Sequence, residues 1–501
     1  MRLSVWLSAL VVLVAALVAR EARAASGMER IRSAGVLRWG GDKQGGEPYV
    51  SDDPDHPGRL KGFEVDLADA IGRELGVRAE LVQNDWANLV PSLERGTFDV
   101  IMNGLEVTEA RIGRIAFSRP YYVFAERLMA RRADGSVTAD LFALKGRRVG
   151  TLANSLGFEL LRASPAETVV YDGVEEPYLD LESGRVDAVL LDDIIAARYG
   201  MTKPDLRVVG DLRDGYYAVG VRNDEPDVRA AIDDALAKIS ARGELRAILD
   251  RHGIWNERQQ RLASWGPADQ ARMLGKPPPP PAFGGFHLLL FLKAALVTLL
   301  VSVLAMMLAI PLGMGLALAR MFGGPVLRAL AGAWVEVYRG TPVLLQLYVL
   351  YYGLAPVLKL GALPAAILGL GMNYAAYEAE VYRSGIQAVP KDQMDAALAL
   401  GMRLPLALRR IVLPQALRHA LPNVANDFIA LLKDSSLVSV ITVVELTKQM
   451  TITAVDVRGW LVPGLCCAAL YFAMSYPLGR LARRLERMLE GERDEGRRAP
   501  A

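Results

Sequence analysis

Residues 395–414 read DAALALGMRLPLALRRIVLP. An acidic residue and two alanines (Asp395, Ala396, Ala397) are followed four positions on by Gly401, and then by Ile411-x-Leu413-Pro414. The alanines are small enough for a second surface to approach their helix closely. Gly401 permits a sharp bend, because no Cβ forbids a left-handed backbone there. Pro414 suits the first turn of a following helix, where its missing N–H costs nothing. The stretch is arginine-rich and lies between apolar segments, so an ordinary surface helix–turn–helix remains open at this point.

The chain has 501 residues, room for two or three domains. Its first half is charged and mixed like a soluble protein. From Leu288 onward it is strongly apolar, which gives a positive mean hydropathy despite 23% charged residues. A net charge of +2 without a basic block outside the C-terminal tail argues against nucleic-acid binding. The two cysteines, Cys466 and Cys467, are adjacent in an apolar run, so no disulfide is expected. The four histidines (His56, His252, His287, His419) are too scattered for a metal site, and no cofactor is expected.

Residues 1–24 read as an export signal: Arg2, an apolar run from Leu3 to Ala19, then Ala22-Arg23-Ala24 as a cleavage site. Cleaved signal and retained anchor are both open, and each puts the next domain outside the cytoplasm. Residues 27–257 alternate short β-rich runs with amphipathic helices. Strands are predicted at Val36–Trp39, Ala79–Gln83, Val100–Met102, Arg148–Leu152, Val186–Leu191 and Tyr216–Val221. Helices are predicted over Phe63–Leu75, near Glu159 and Glu176, and over Asp227–Ser240 and Glu244–Arg251. This alternation implies α/β layers with mainly parallel sheets.

Residues 258–286 read as a linker, with five consecutive prolines at Pro277–Pro281 that favour a stiff extended spacer. Residues 287–488 hold about five membrane-length apolar segments, near 294–318, 334–356, 361–383, 421–444 and 459–479. With the first end outside, Arg320, Arg328, Arg383, Lys391, Arg403, Arg409, Arg410, Arg483, Arg484 and Arg487 fall on the cytoplasmic side, as the positive-inside rule requires. Residues 489–501 are then a cytoplasmic tail. The expected location is a bacterial inner membrane, crossed several times, with the N-terminal domain in the periplasm.

Nearly all of residues 36–255 resembles the periplasmic solute-binding proteins for polar amino acids. The matching pieces are Gly62-Phe63-Glu64-Val65-Asp66-Leu67, Trp86 to Pro91 leading into Gly96-Thr97-Phe98-Asp99, Thr108-Glu109-Ala110-Arg111, Phe117-Ser118-Arg119-Pro120-Tyr121-Tyr122, and Asp187-Ala188-Val189-Leu190-Leu191-Asp192. The resemblance implies two α/β lobes joined by crossover strands near Arg127–Ala130 and Tyr216–Val219, closing on ligand by a hinge. It assigns Arg111 to the ligand carboxylate, which suits a planar two-donor guanidinium. It assigns Asp192 to the ammonium, Trp86 to the ligand side chain and Ser155 to a supporting hydroxyl; Asp42 and Gly104 match further pocket positions. Asp192 could equally cap the helix that follows it. Glu106 departs from the family, which often has Ser or Thr there, and it is expected to compete for Arg111, to point away, or to meet a cationic part of the ligand. Gly46 stands where relatives place an aromatic wall, so a more open or polar pocket is expected. Leu156 replaces a common Thr or Gly.

Residues 292–480 resemble the permease subunits of ABC importers for polar amino acids. The evidence is Tyr338-Arg339-Gly340-Thr341-Pro342, Ala375-Ala376-Tyr377, Glu380 to Gln387, the stretch 395–414, and Leu432-Lys433-Asp434-Ser435-Ser436-Leu437. In this light Asp395, Ala396, Ala397 and Gly401 are the loop that docks on a separate ATPase, with Asp395 where the family usually has Glu. Asn373, Glu378 and Glu380 are candidates to line a path, Asn373 foremost, with a helix-end ion pair to Arg383 the alternative for Glu380. No G-x-x-x-x-G-K-[ST] occurs, so the chain is expected to be no enzyme and to need an ABC ATPase subunit as well as a second permease, identical or different. The expected function is capture and import of a polar amino acid through a lipid bilayer. The alternative is an amino-acid-gated ion channel or receptor, though no filter such as TVGYG is present. An exported enzyme lacks a catalytic set and a sensor kinase lacks a cytoplasmic domain.

Overall fold

The computed structural model describes residues 26–275, 281–355 and 357–498. The expected signal at 1–24, the prolines Pro277–Pro280 and the last three residues lie outside them. The chain divides into two compact units, 1–279 and 280–501.

The first unit is built on ten strands: β1 (Val36–Gly41), β2 (Ser51–Asp52), β3 (Leu60–Lys61), β4 (Arg78–Gln83), β5 (Val100–Ile101), β6 (Ile115–Arg131), β7 (Arg148–Leu152), β8 (Glu167–Tyr171), β9 (Ala188–Asp192) and β10 (Leu206–Arg222). Apart from the small β2–β3 hairpin they form one eight-stranded sheet in the order β4-β1-β5-β10-β6-β9-β7-β8. At one end β1 runs parallel to β4 and β5; at the other β7 runs parallel to β8 and β9. Between them β6 and β10, each 17 residues long, pair antiparallel and pass from one lobe to the other. The expected parallel sheets are thus found within each lobe, but the whole is mixed. Register shifts at Val208/Gly210, Asp211/Arg213 and around Ala218 bend the crossover pair.

The helix at Phe63–Leu75 has the predicted bounds, buries Phe63, Leu67, Ala70 and Ile71, and stops at Gly76, whose φ is +72°. The helices Leu156–Arg162, Glu176–Glu182, Pro226–Ala241 and Glu244–Arg251 lie where expected. Residues 258–274, expected in the linker, instead fold onto this unit as short helices. Gln259 is buried and exchanges hydrogen bonds with the backbone of Val123 at 2.9 and 2.7 Å. Leu262 is buried in the core and Trp265 packs edge-on against Tyr216.

The second unit is helical. Gly285–Phe322 and Leu461–Arg484 are long and apolar enough to cross a bilayer, with mean hydropathies of 2.6 and 1.5. Exposed apolar side chains such as Leu296, Met307, Leu465 and Phe472 suit a lipid surrounding. The segment expected at 361–383 is the helix Ala362–Ala388. The one expected at 334–356 is broken at Thr341-Pro342 into Pro325–Gly340 and a helical run from Val343 to Gly353, because Pro342 cannot continue the first helix. The one expected at 421–444 is displaced: the helix is Leu413–Asp434, and Ser435–Ile441 is a tight 3₁₀ segment. The last helix runs unbroken from Leu461 to Arg498, so most of the expected tail continues it. Gly313 and Gly371 let Gly285–Phe322 meet Ala362–Ala388 closely: a Cβ on Gly313 would lie 2.8 Å from the Ala375 carbonyl oxygen, and one on Gly371 3.1 Å from that of Ala305.

The stretch that opened the reading forms a helix at Lys391–Ala399, then a turn at Gly401 with φ of +80°, where a side chain would be strained. Pro414 falls in the first turn of the helix Leu413–Asp434, as expected, without a break from what precedes it. It follows a π-helical turn at Leu408–Val412 inside one helical run, and the wider turn accommodates a ring that would clash with a regular α-helical carbonyl.

Candidate functional site

Between the lobes lies a cavity of about 50 Å³, lined from both sides. Its walls come from the ends of β7 and β9, the turns after β1, β4, β5 and β8, and β10. Strand ends are where an α/β sheet leaves backbone and side chains free to face a ligand.

Asp42 follows β1. Its carboxylate accepts from the backbone N–H of Gln44 at 3.0 Å and of Trp86 at 2.8 Å, and from Gln83 Nε2 at 3.0 Å. It therefore fixes the turn that carries Trp86. Trp86 sends Nε1–H across the cleft to the Ala153 carbonyl at 3.0 Å, and the Arg111 guanidinium lies 4.7 Å from its ring centre. Gly104 has a φ of +56°, and a Cβ there would lie 2.8 Å from the Tyr49 ring. Its N–H donates to Glu64, fully buried on the Phe63–Leu75 helix, at 2.6 Å.

Glu106 lies opposite Tyr217 in an isolated bridge and is buried. Its Oε2 accepts the Leu156 backbone N–H at 2.6 Å and stands 3.9 Å from Arg111 Nη1. The same Arg111 nitrogen donates to the Glu106 carbonyl at 2.8 Å. Of the expectations for Glu106, facing Arg111 is the one observed. Burial pushes its carboxyl up to about 8, opposed by Arg111 and reinforced by Asp192. Burial lowers the Arg111 pKa from its ordinary value, against the pull of Glu106.

Asp192 ends β9. Oδ1 accepts from the Tyr49 hydroxyl at 3.1 Å and from the Ile195 N–H at 2.8 Å, so the residue both caps the helical turn after it and lines the cavity. Burial raises its carboxyl too. Ser155 caps the helix Leu156–Arg162: Oγ accepts from Phe158 N at 3.1 Å and donates to the Leu152 carbonyl at 2.9 Å. Neither Ser155 nor Arg111 is among the cavity-lining residues; Asp42, Trp86, Gly104, Glu106 and Asp192 are.

Sequence reasoning missed Tyr49, Asn103, Asp172 and Tyr217 in the walls. Tyr217 fell inside the crossover segment but gave no separate signal. It also missed Glu126 on β6, fully buried and raised well above the ordinary range by burial and by Glu106 and Asp192. At Gly46 the Tyr199 hydroxyl stands 2.8 Å from where a Cβ would be.

In the helical unit a cavity of about 520 Å³ is lined by Arg339, Asn373, Tyr377, Asp427 and Asp434, among others. Asn373 donates to the Tyr338 carbonyl and to Gln346 Oε1. Glu380 is paired with Arg320 and Arg383, the helix-end arrangement, and Glu378 is buried against the Gly313 helix. On the 395–414 stretch Asp395, Ala396 and Gly401 are exposed, as are Leu398, Leu400, Leu404 and Leu406, while Ala397 is buried.

Residues 38–254 match the bacterial extracellular solute-binding proteins, family 3, and residues 309–491 match the binding-protein-dependent transport system inner membrane component. The probable amino-acid permease protein YxeN of Bacillus subtilis is 41% identical over 162 residues, 32% of this chain and 72% of that protein. The putative glutamine transport system permease protein GlnP of Rickettsia typhi is 30% identical over 204 residues, 40% of this chain and 94% of that protein. The arginine transport system permease protein ArgU of Corynebacterium glutamicum is 42% identical over 161 residues, 29% of this chain and 50% of that protein. Among solved structures, an ancestral arginine-binding protein bound to arginine is 29% identical, with 43% of this chain and 97% of that chain covered and a TM-score of 0.40. These relatives lend no support to the ion-channel alternative.

Proposed function

We propose, from the premise that this chain belongs to the amino-acid ABC-transporter permeases and carries a family 3 solute-binding domain fused ahead of its membrane domain, that one polypeptide both captures the solute and forms half of the gate. The carrying observation is the union of a two-lobed clamp, closed across its cleft by Trp86–Ala153 and Glu106–Leu156, with a helical unit bearing the exposed turn around Gly401. The signal at 1–24 and the positive-inside bias support a periplasmic clamp and a multi-pass inner-membrane unit. Tethering keeps the clamp at high local concentration at the gate without a diffusing pool.

Asp42, Trp86, Gly104, Glu106 and Asp192 line the clamp site, with Arg111 against Trp86 and Glu106 and Ser155 capping the helix Leu156–Arg162, and the site takes a solute of the polar amino-acid class. ATP is hydrolysed on a separate ABC subunit that docks against Asp395, Ala396, Ala397 and Gly401. The exposed leucines of this stretch, near Arg403, Arg409 and Arg410 in sequence, support that role, since exposed apolar side chains suit a protein contact. A second permease, identical or different, completes the path, and the cavity containing Asn373 belongs to it. The test is uptake of isotopically labelled amino acids and their amines by cells making the full chain with its ATPase. Accumulation above the outside concentration that collapses on ATP depletion is expected. Downhill flux indifferent to ATP would overturn the importer reading.

A further inference from the structure

The resemblance assigns the start of the helix Leu156–Arg162 and the Arg111 guanidinium to a ligand carboxylate. In this structure the chain's own oxygens hold both. Glu106 Oε2 accepts from Leu156 N at 2.6 Å and stands 3.9 Å from Arg111. Ser155 Oγ takes Phe158 N. The Glu126 carboxylate lies against Gly157 between them, 3.0 Å from the position of a Cβ there. Arg111 itself donates to the Glu106 carbonyl, stacks on Trp86 and does not line the cavity.

What remains is a small space with a consistent charge. Among the described residues its walls hold four carboxylates, Asp42, Glu106, Asp172 and Asp192, and no cationic side chain. Tyr49, Trp86 and Tyr217 add aromatic faces and two hydroxyls. Carboxylates and aromatic rings together attract a cation. A zwitterion would have to push Glu106 off Leu156 and Arg111, then seat a second carboxylate beside Glu106, Glu126 and Asp192, where like charges oppose it.

We propose that the clamp selects a small organic cation without a carboxylate, a primary amine or diamine of the kind left when an amino acid loses its carboxyl group, with Glu106 occupying the place of the missing carboxylate. The proposal rests on the importer reading and replaces its amino-acid cargo with the amine. Ammonium hydrogen bonds go to Asp192 and Glu106, and the carbon chain lies along Trp86.

The test is calorimetric titration of the full chain in nanodiscs, stripped of bound solute, with matched pairs: lysine against cadaverine, and arginine against agmatine. At least one amine is expected to bind about tenfold or more tightly than its parent amino acid, the scale set by an unpaired buried charge. Glu106→Ser, which frees Leu156 N and removes the carboxylate facing Arg111, is expected to reverse that order, while Glu106→Gln weakens amine binding without restoring the amino acid. Equal or tighter binding of the amino acids by the wild-type chain overturns the proposal and leaves the importer reading standing. Binding of neither class, by a chain whose clamp melts cooperatively, overturns both.

Discussion

Trp86 Nε1 donates to the Ala153 carbonyl at 3.0 Å, joining the two lobes above the cavity. The Trp86 backbone N–H is held by Asp42, so the link runs from β1 to the turn after β7. Trp86→Phe keeps an aromatic ring beside Arg111 but removes the donor together with part of the ring area. We expect about 1 kcal/mol less favourable closure and about fivefold weaker ligand binding, read by titration. An unchanged affinity would mean that this link does not hold the closed state.

Asp192 combines a cap and a cavity wall. Asp192→Asn keeps the shape and an acceptor for Ile195 N but removes the charge. A ligand ammonium then loses its counter-ion, and affinity is expected to fall about 30-fold or more. The far-ultraviolet spectrum should not change, because the capping geometry survives.

Glu106, Glu64 and Asp193 have carboxyls pushed up to about 8, 7 and 7. Burial is the first cause in each. A raised acid binds protons in the folded state that the unfolded state has released. Between the ordinary carboxylate range and pH about 8 the ligand-free clamp therefore loses stability as pH rises. The melting temperature of the clamp transition should be lower at the alkaline end of that window, and Glu106→Gln should flatten the slope. A cationic ligand favours ionised Glu106, so its affinity should increase towards pH about 8.

Gly401 adopts φ of +80° at the exposed turn. Gly401→Val forces a β-branched residue into that region at about 1–3 kcal/mol of strain. We expect uptake to fall with solute affinity unchanged, because the turn lies in the helical unit and the solute site in the clamp. A parallel loss of affinity would count against the division of labour.

Regular parts of the fold were legible. Helix Phe63–Leu75 and strands β1, β4, β7 and β9 carry clean periodicity, and they supply the ends on which Asp42 and Asp192 sit. The crossover pair was read only in fragments, because Pro120 and glycines 210, 215 and 220 look like turn residues until two bulged strands support each other. Residues 258–274 were placed in the linker because the proline run drew the boundary forward; their hold on the clamp comes from Gln259 and Leu262, which local pattern does not reveal. Glu106 was recognised as a departure, yet its partner Leu156 is 50 residues away, and only folding brings them together.

In the proposed function one chain captures solute outside and its passage is driven by ATP consumed by another subunit. The most direct measurement places the full chain in liposomes with its ATPase, seals ATP on the ATPase side, and adds solute to the clamp side. ATP hydrolysis is expected to rise with solute, matched by accumulation on the ATPase side, and both are expected to be lost in Asp192→Ala. Solute flux that proceeds without ATP, or hydrolysis blind to solute, would contradict this function.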